Sequence, residues 1–116
     1  MLERAHRLAK FHEVYRVGRV VRGRFLSVRF IRKPIENTRV GFAVARVVRG
    51  KVQKNRLKRR LRSVCRQHLD ELQKDLDIVV NIFSAASEAS FKDLEQDYVR
   101  VINRAGLTVV ALQEQV

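Results

Sequence analysis

Lys54-Asn55-Arg56-Leu57-Lys58-Arg59-Arg60-Leu61-Arg62-Ser63-Val64-Cys65-Arg66-Gln67-His68-Leu69-Asp70-Glu71-Leu72 is the stretch on which the fold turns. Leu57, Leu61, Val64, Cys65, Leu69 and Leu72 recur at steps of three and four, so the spacing predicts a helix over 54–72 with one apolar stripe. At about 100° per residue, Asn55, Arg59, Arg62 and Arg66 fall opposite Leu57, Leu61 and Val64, with Arg56 and Lys58 flanking them. Such a helix buries its leucines against something and turns a cationic ridge outward.

Moving outward, Val40-Gly41-Phe42-Ala43-Val44-Ala45 alternates large with small and reads as a strand with one nearly bare face. Downstream, Asp77 to Phe83 is a β-branched run and reads as a buried strand. Phe25 to Ile31 is a third strand candidate, separated from Val40 by the turn Lys33-Pro34-Ile35-Glu36-Asn37-Thr38. Ala9 to Val17 carries Phe11, Val14 and Tyr15 at helical spacing and stops at Gly18. Ser87 or Ser90 is placed to cap a last helix whose core face is Phe91, Leu94, Tyr98, Val101 and Ile102, ending at Gly106. The order α-β-β-α-β-α describes an α/β (α+β) two-layer sandwich, a small mixed sheet with helices packed on it. One domain over 1–106 is expected, with 107–116 as a C-terminal tail whose apolar run, Leu107 to Leu112, no element claims.

Charge localises the function. Residues 1–66 carry 21 Lys and Arg against Glu3, Glu13 and Glu36, whereas residues 67–116 carry four against nine acids. From Arg46 to Arg66 there are ten cations and no acid. A solvated helix normally interleaves both signs, so this asymmetry points to a surface for a polyanion. Guanidinium forks suit phosphate oxygens, and the free N–H groups at the helix start, beside Asn55, add an anion site. A coiled-coil or membrane-surface helix is the competing reading, but the stripe lacks the bulky excess of an interfacial anchor.

Other classes fall away. Cys65 is the only cysteine, which rules out an internal disulfide or a thiolate zinc site, and its position on the apolar stripe reads as core. The charged start, Met1 to Leu8, does not resemble a secretory signal, and Ile78-Val79-Val80 is broken by Asn81, far short of the roughly 18–20 residues that span a bilayer. A soluble cytoplasmic setting is therefore expected. No catalytic residue and no metal ligand is assigned. His6, His12 and His68 show no catalytic spacing and read as surface or helix-face residues. Asp75 and Asp77 read as solvated boundary acids rather than metal ligands, and Asp93, Glu95 and Asp97 as acids favoured by the helix N-terminus. Phe11 and Tyr15 stay open between core packing and a base-stacking cleft.

The stretch Lys51-Val52-Gln53-Lys54-Asn55-Arg56-Leu57-Lys58-Arg59-Arg60-Leu61-Arg62 resembles the signature of the protein component of bacterial ribonuclease P, an Arg-Asn-Arg core followed by Lys-Arg and another Arg. Arg39-Val40-Gly41-Phe42-Ala43-Val44, Phe11-His12-Glu13-Val14-Tyr15 and Asp77-Ile78-Val79-Val80 resemble that family's flanking strand, first helix and following strand, so the likeness covers about residues 4–104. Lys54 stands where the family has the first Arg, Val47 replaces one of a lysine pair, the glycine after them is shifted to Gly50, and Ser63 replaces a frequent acid.

The resemblance implies a left-handed crossover around the basic helix, against the general right-handed rule. It implies a protein subunit that binds a catalytic RNA and the 5′ leader of precursor tRNA while the RNA removes the leader, so the protein alone is not a nuclease. It implies Mg²⁺ held mainly by RNA phosphates, and neither DNA nor membrane as partner. Arg46, Lys51, Lys54, Asn55, Arg56, Lys58, Arg59, Arg62 and Arg66 are the expected RNA contacts, with Phe11, Tyr15, Phe25 and Phe42 as leader-cleft candidates. A non-enzymic ribosomal or assembly protein explains the charge equally well but not the ordered motif. An intrinsic metal-dependent nuclease would need acids beside the basic face, and the acids lie mostly in the other half.

Overall fold

Leu76–Ile82 carries five apolar residues in seven, on both of its faces, and a strand of that kind is stable only where both faces are covered. It becomes β5, the centre of the sheet, in a computed structural model that describes residues 6–33 and 37–110. The other strands are β1 (His6–Arg7), β2 (Arg19–Arg22), β3 (Leu26–Arg32) and β4 (Arg39–Val44), and the helices are α1 (His12–Val17), α2 (Lys51–Gln67) and α3 (Phe91–Arg104). The sheet order is β1-β4-β5-β3-β2. β4 runs parallel to β5, with Val40 opposite Ile78, and β3 runs antiparallel, with Val28 opposite Val80.

The register sorts side chains by face. Leu26, Val28, Phe30, Val40, Ile78, Val80 and Ile82 point into the main core beneath α2 and α3, where Leu57, Leu61, Val64, Leu94, Tyr98 and Ile102 meet them. Gly41, Ala43, Val79 and Ile31 point the other way, into a smaller cluster closed by Leu8, Phe11 and Val14 of the α1 side. The expected sandwich holds for the main core, and α1 covers part of the second face.

Several boundaries differ from the sequence reading, each for a physical reason. The basic helix begins at Lys51 and ends at Gln67; a 3-10 turn, Leu69–Glu71, then carries Leu69 and Leu72 onto the core without continuing the helix. The first helix is shorter than 9–17 because Leu8 donates its N–H to the Val40 carbonyl (3.1 Å) and continues the sheet edge. β2 was not expected: Arg-Val-Val-Arg has no alternation, since as an edge strand it is mostly exposed. Ser90, not Ser87, caps α3, its hydroxyl accepting from the Asp93 N–H (3.0 Å) while the Asp93 carboxylate accepts from the Ser90 N–H (3.2 Å).

Two acids are also corrected. Asp97, read from the sequence as an acid favoured by the helix N-terminus, is buried and accepts the backbone N–H groups of Arg24 (3.0 Å) and Phe25 (2.8 Å). Asp77 is buried under the Arg39 fork, at 2.7 and 2.6 Å. The hydrogen bonds it donates to the Asp77 carboxylate hold the Arg39 guanidinium above its ordinary pKa. At the other end, Leu107 is fully buried, Thr108 bridges Leu72, and the buried Gln73 amide donates to the carbonyls of Gly106 (2.9 Å) and Thr108 (2.8 Å). Residues 107 and 108 therefore fold with the domain. Residues 111–116 of the expected tail lie outside the described residues, as do the His6 side chain and Pro34 to Glu36 of the turn.

Candidate nucleic-acid interface

The apolar stripe of α2 fixes which of its cations reach solvent. Leu57, Leu61, Val64 and Cys65 are buried, so Lys51, Asn55, Arg56, Arg59, Arg62 and Arg66 are exposed and Lys54 and Lys58 half-buried. Among the described residues no carboxylate pairs with any cation of this helix, whereas Arg32, Lys33, Arg39 and Arg100 all engage acids elsewhere. Arg60 departs from its neighbours: it donates to the Ala89 carbonyl (3.2 Å) and pins α2 to the loop before α3. Burial raises the Cys65 thiol to about 12, which fits packing and not nucleophilic chemistry.

Before α2, Arg46 and Arg49 are exposed and border a shallow depression of about 580 Å³ with Gly50 and Lys54. A larger cavity, of about 880 Å³, opens on the other flank of the helix between the chain at Arg7–Phe11, β4 and α2. Lys58, Arg62 and Arg66 line it together with the rings of Phe11 and Phe42, and the Arg62 guanidinium lies 5.5 Å from the Phe42 ring centre.

The four aromatic candidates do not form one group. Tyr15 stands on the second sheet face, 42% exposed, its hydroxyl donating to Asn81 Oδ1 (2.6 Å) and its ring lying 5.4 Å from the Arg29 guanidinium. Phe11 neighbours it at 6.2 Å between centroids but is half-buried against Gly41. Phe42 belongs to the opposite face and meets Phe11 only at the cavity. Phe25 sits in the turn held by Asp97, packed on the main core and away from the other three.

Sequence reasoning missed Arg7, Arg29, Arg49 and Asn81. The signal was present: Arg16, Arg19, Arg22, Arg24, Arg29, Arg32 and Lys33 form a second run of cations without an acid, and Asn81 is the one amide in an apolar strand. His12 is exposed, and His68 bridges Glu71 of the 3-10 turn and Glu95 of α3. Burial lowers its pKa, but the hydrogen bonds to the two carboxylates outweigh this and leave it raised.

A family model described as Ribonuclease P matches residues 2–106. The ribonuclease P protein component of Syntrophomonas wolfei is 30% identical over 98 residues, covering 84% of this chain and 82% of that protein. That of a Nocardioides species is 37% identical over 115 residues, covering 94% and 98%. Among solved structures, the RNase P protein of Staphylococcus aureus superposes with a TM-score of 0.80 at 23% identity, over 90% of this chain and 98% of that one. The Thermotoga maritima protein gives 0.77 at 23%, over 85% and 96%. None of these matches supports the non-enzymic ribosomal or assembly reading. With the family model spanning nearly all of the described fold, the chain belongs to the ribonuclease P protein family.

Proposed function

We propose that this protein is the RNA-docking subunit of a cytoplasmic ribonuclease P: α2 binds the catalytic RNA, the α1 side of the sheet binds the 5′ leader of precursor tRNA, and the RNA cuts the bond. The observation that carries this reading is the row of unpaired cations on α2, a rigid lattice of charge that a folded RNA can match phosphate by phosphate. Tyr15, steadied by Asn81 and backed by Arg29, is the exposed ring on which an unpaired leader base stacks.

Mg²⁺ is the cofactor the reading requires, and the described acids are placed for other partners. Asp77 is taken by Arg39 and Asp97 by backbone amides, and among the described residues no three His, Cys, Asp or Glu side chains are grouped to hold a metal. The ion's ligands in this reading are RNA phosphates, and the protein contributes position and charge.

Precursor tRNA incubated with RNA-free protein and Mg²⁺ should stay intact, and adding the catalytic RNA should restore 5′ cleavage. Leader removal by the protein alone would overturn the reading. Tyr15→Ala should weaken binding of precursor tRNA by on the order of 1 kcal/mol and leave mature tRNA binding unchanged.

A further inference from the structure

Arg19, Arg22 and Arg24 lie at the sheet edge away from α2. β2 is three strand spacings from β4, about 14 Å, and its turn into β3 docks on α3. Gly23 permits that docking: a Cβ there would fall 2.6 Å from the Asp97 carboxylate and 2.7 Å from Val101. The same carboxylate gathers the neighbouring cations. Its Oδ1 accepts the Arg24 N–H (3.0 Å) and lies 3.6 Å from the Arg100 guanidinium, while Arg104, one turn further along α3, donates to the Arg22 carbonyl (3.1 Å). Arg19 faces this side too, because it pairs with Phe30, whose side chain points to the helix layer.

Five exposed guanidinium groups, Arg19, Arg22, Arg24, Arg100 and Arg104, therefore share one edge. The acid among them, Asp97, is buried with both oxygens on backbone amides. Neutral partners hold three of the five in place: a carbonyl for Arg104, the Phe25 ring 5.0 Å from Arg24, and the Phe83 ring 5.9 Å from Arg22. Such partners fix a guanidinium and leave most of its donors for an anion. The same contacts occupy the two half-buried rings, so the edge presents charge rather than open aromatic faces. A second copy is a poor occupant. Antiparallel pairing of two β2 strands about Val20 and Val21 sets Arg19 of one chain against Arg22 of the other, and like charges opposed in a ladder repel.

We propose that this edge is a second RNA-docking surface, which takes the phosphate backbone of a structured RNA helix while α2 holds a different RNA segment. The two surfaces are not continuous: where the end of α2 meets α3, Glu71 and Glu95 stand around His68, so a single line of phosphates passing between them meets acids. The protein is then a bracket with an RNA helix on each side. A folded RNA fixes its phosphates in a lattice, and double-stranded RNA is recognised by shape and backbone, which suits guanidinium groups held rigid without open rings beside them. A second element of the catalytic RNA and the body of the tRNA offer the same backbone chemistry. The proposal rests on RNA being the partner of α2, as in the functional reading.

The test measures three affinities across a KCl series: the full chain for the catalytic RNA, the assembled holoenzyme for leaderless mature tRNA, and the full chain for a single-stranded leader oligonucleotide. The double variant Arg24→Gln/Arg104→Gln should lower one of the first two about tenfold, flatten its salt dependence by about two ions, and leave the oligonucleotide unchanged. Loss on the catalytic RNA assigns the edge to that RNA, and loss on mature tRNA assigns it to the tRNA body. Arg24→Lys/Arg104→Lys should recover most of the affinity. If the glutamine pair does not fold, Arg19→Gln/Arg100→Gln decides the matter. An equal loss for the oligonucleotide, or a loss that tracks a lower Tm and is not restored by lysine, would overturn the proposal. So would unchanged affinity for both structured RNAs; phosphatidylglycerol vesicles that then bind wild type but not the double variant would make a lipid surface the occupant. Arg59→Gln is measured in parallel. Loss from Arg59→Gln with none from the double variant refutes this surface alone, whereas no loss from either refutes the functional reading.

Discussion

Gly41→Ala places a methyl group where Phe11 already stands. An ideal Cβ on Gly41 falls against Cε1 of Phe11, 2.6 Å from its Cζ and 3.1 Å from the Leu8 carbonyl oxygen. The carbonyl is part of the sheet edge and moves little, so the ring must swing or α1 must lift from β4. Overpacking of this kind costs about 1–3 kcal/mol, and a half-buried ring that can partly yield argues for the lower half of that range, about 1–2 kcal/mol. In a domain near this size each kcal/mol shifts Tm by roughly 4 °C or somewhat more, so the variant should melt about 4–8 °C lower. Phe11→Ala removes the obstacle at its own cost in lost burial, and in that background the added methyl enters vacated space. Urea and thermal unfolding of wild type, Gly41→Ala, Phe11→Ala and the double variant would yield a coupling of about 1–2 kcal/mol. If Gly41→Ala cost the same with and without Phe11, the ring would not be what demands a glycine at 41.

Further outcomes follow from other contacts. Asp97→Ala leaves the Arg24 and Phe25 N–H groups without their acceptor and should destabilise by about 3 kcal/mol in urea unfolding. Arg59→Ala should lower RNA affinity and flatten its salt dependence by about one ion without changing Tm, whereas Arg60→Ala should lower Tm through the lost bond to Ala89. Because Glu71 and Glu95 raise the pKa of folded His68 above 6.5, its bridge contributes fully below that pH and is lost as pH rises through the folded value. Tm should therefore fall on going from pH 6 to more alkaline buffer, and His68→Gln should flatten that slope.

The elements legible in the sequence were those whose burial is one-sided or complete. α2 and α3 announced themselves because an apolar stripe opposite charge has a single packing solution, and β5 did so through the β-branched run Ile78-Val79-Val80. β2 was illegible because an edge strand with one partner and mostly exposed side chains needs no pattern. The cations of α2 were readable one by one, since a helix fixes its own faces. The aromatic candidates were not, because which face Phe11, Tyr15, Phe25 and Phe42 share depends on strand register and on turns held by distant acids such as Asp97. The same reason hid the buried states of Asp77 and Asp97: their partners lie far away in sequence.

The knot around Gln73 bears on when, during synthesis, the molecule can become itself. β5 is the middle strand, so β3 and β4 have no shared neighbour until it emerges. Even then the core lacks Leu107, and the Gln73 amide lacks the carbonyls of Gly106 and Thr108 that satisfy it. A nascent chain halted before these residues clear the ribosome holds its cationic helix over a core that Leu107 has not yet closed. Completion of the last turn of α3 and of the two residues beyond Gly106 is then the event that converts a basic, partly collapsed polypeptide into a rigid surface. Vectorial synthesis thus delays the fixed shape of the cationic helix until the chain beyond Gly106 has emerged.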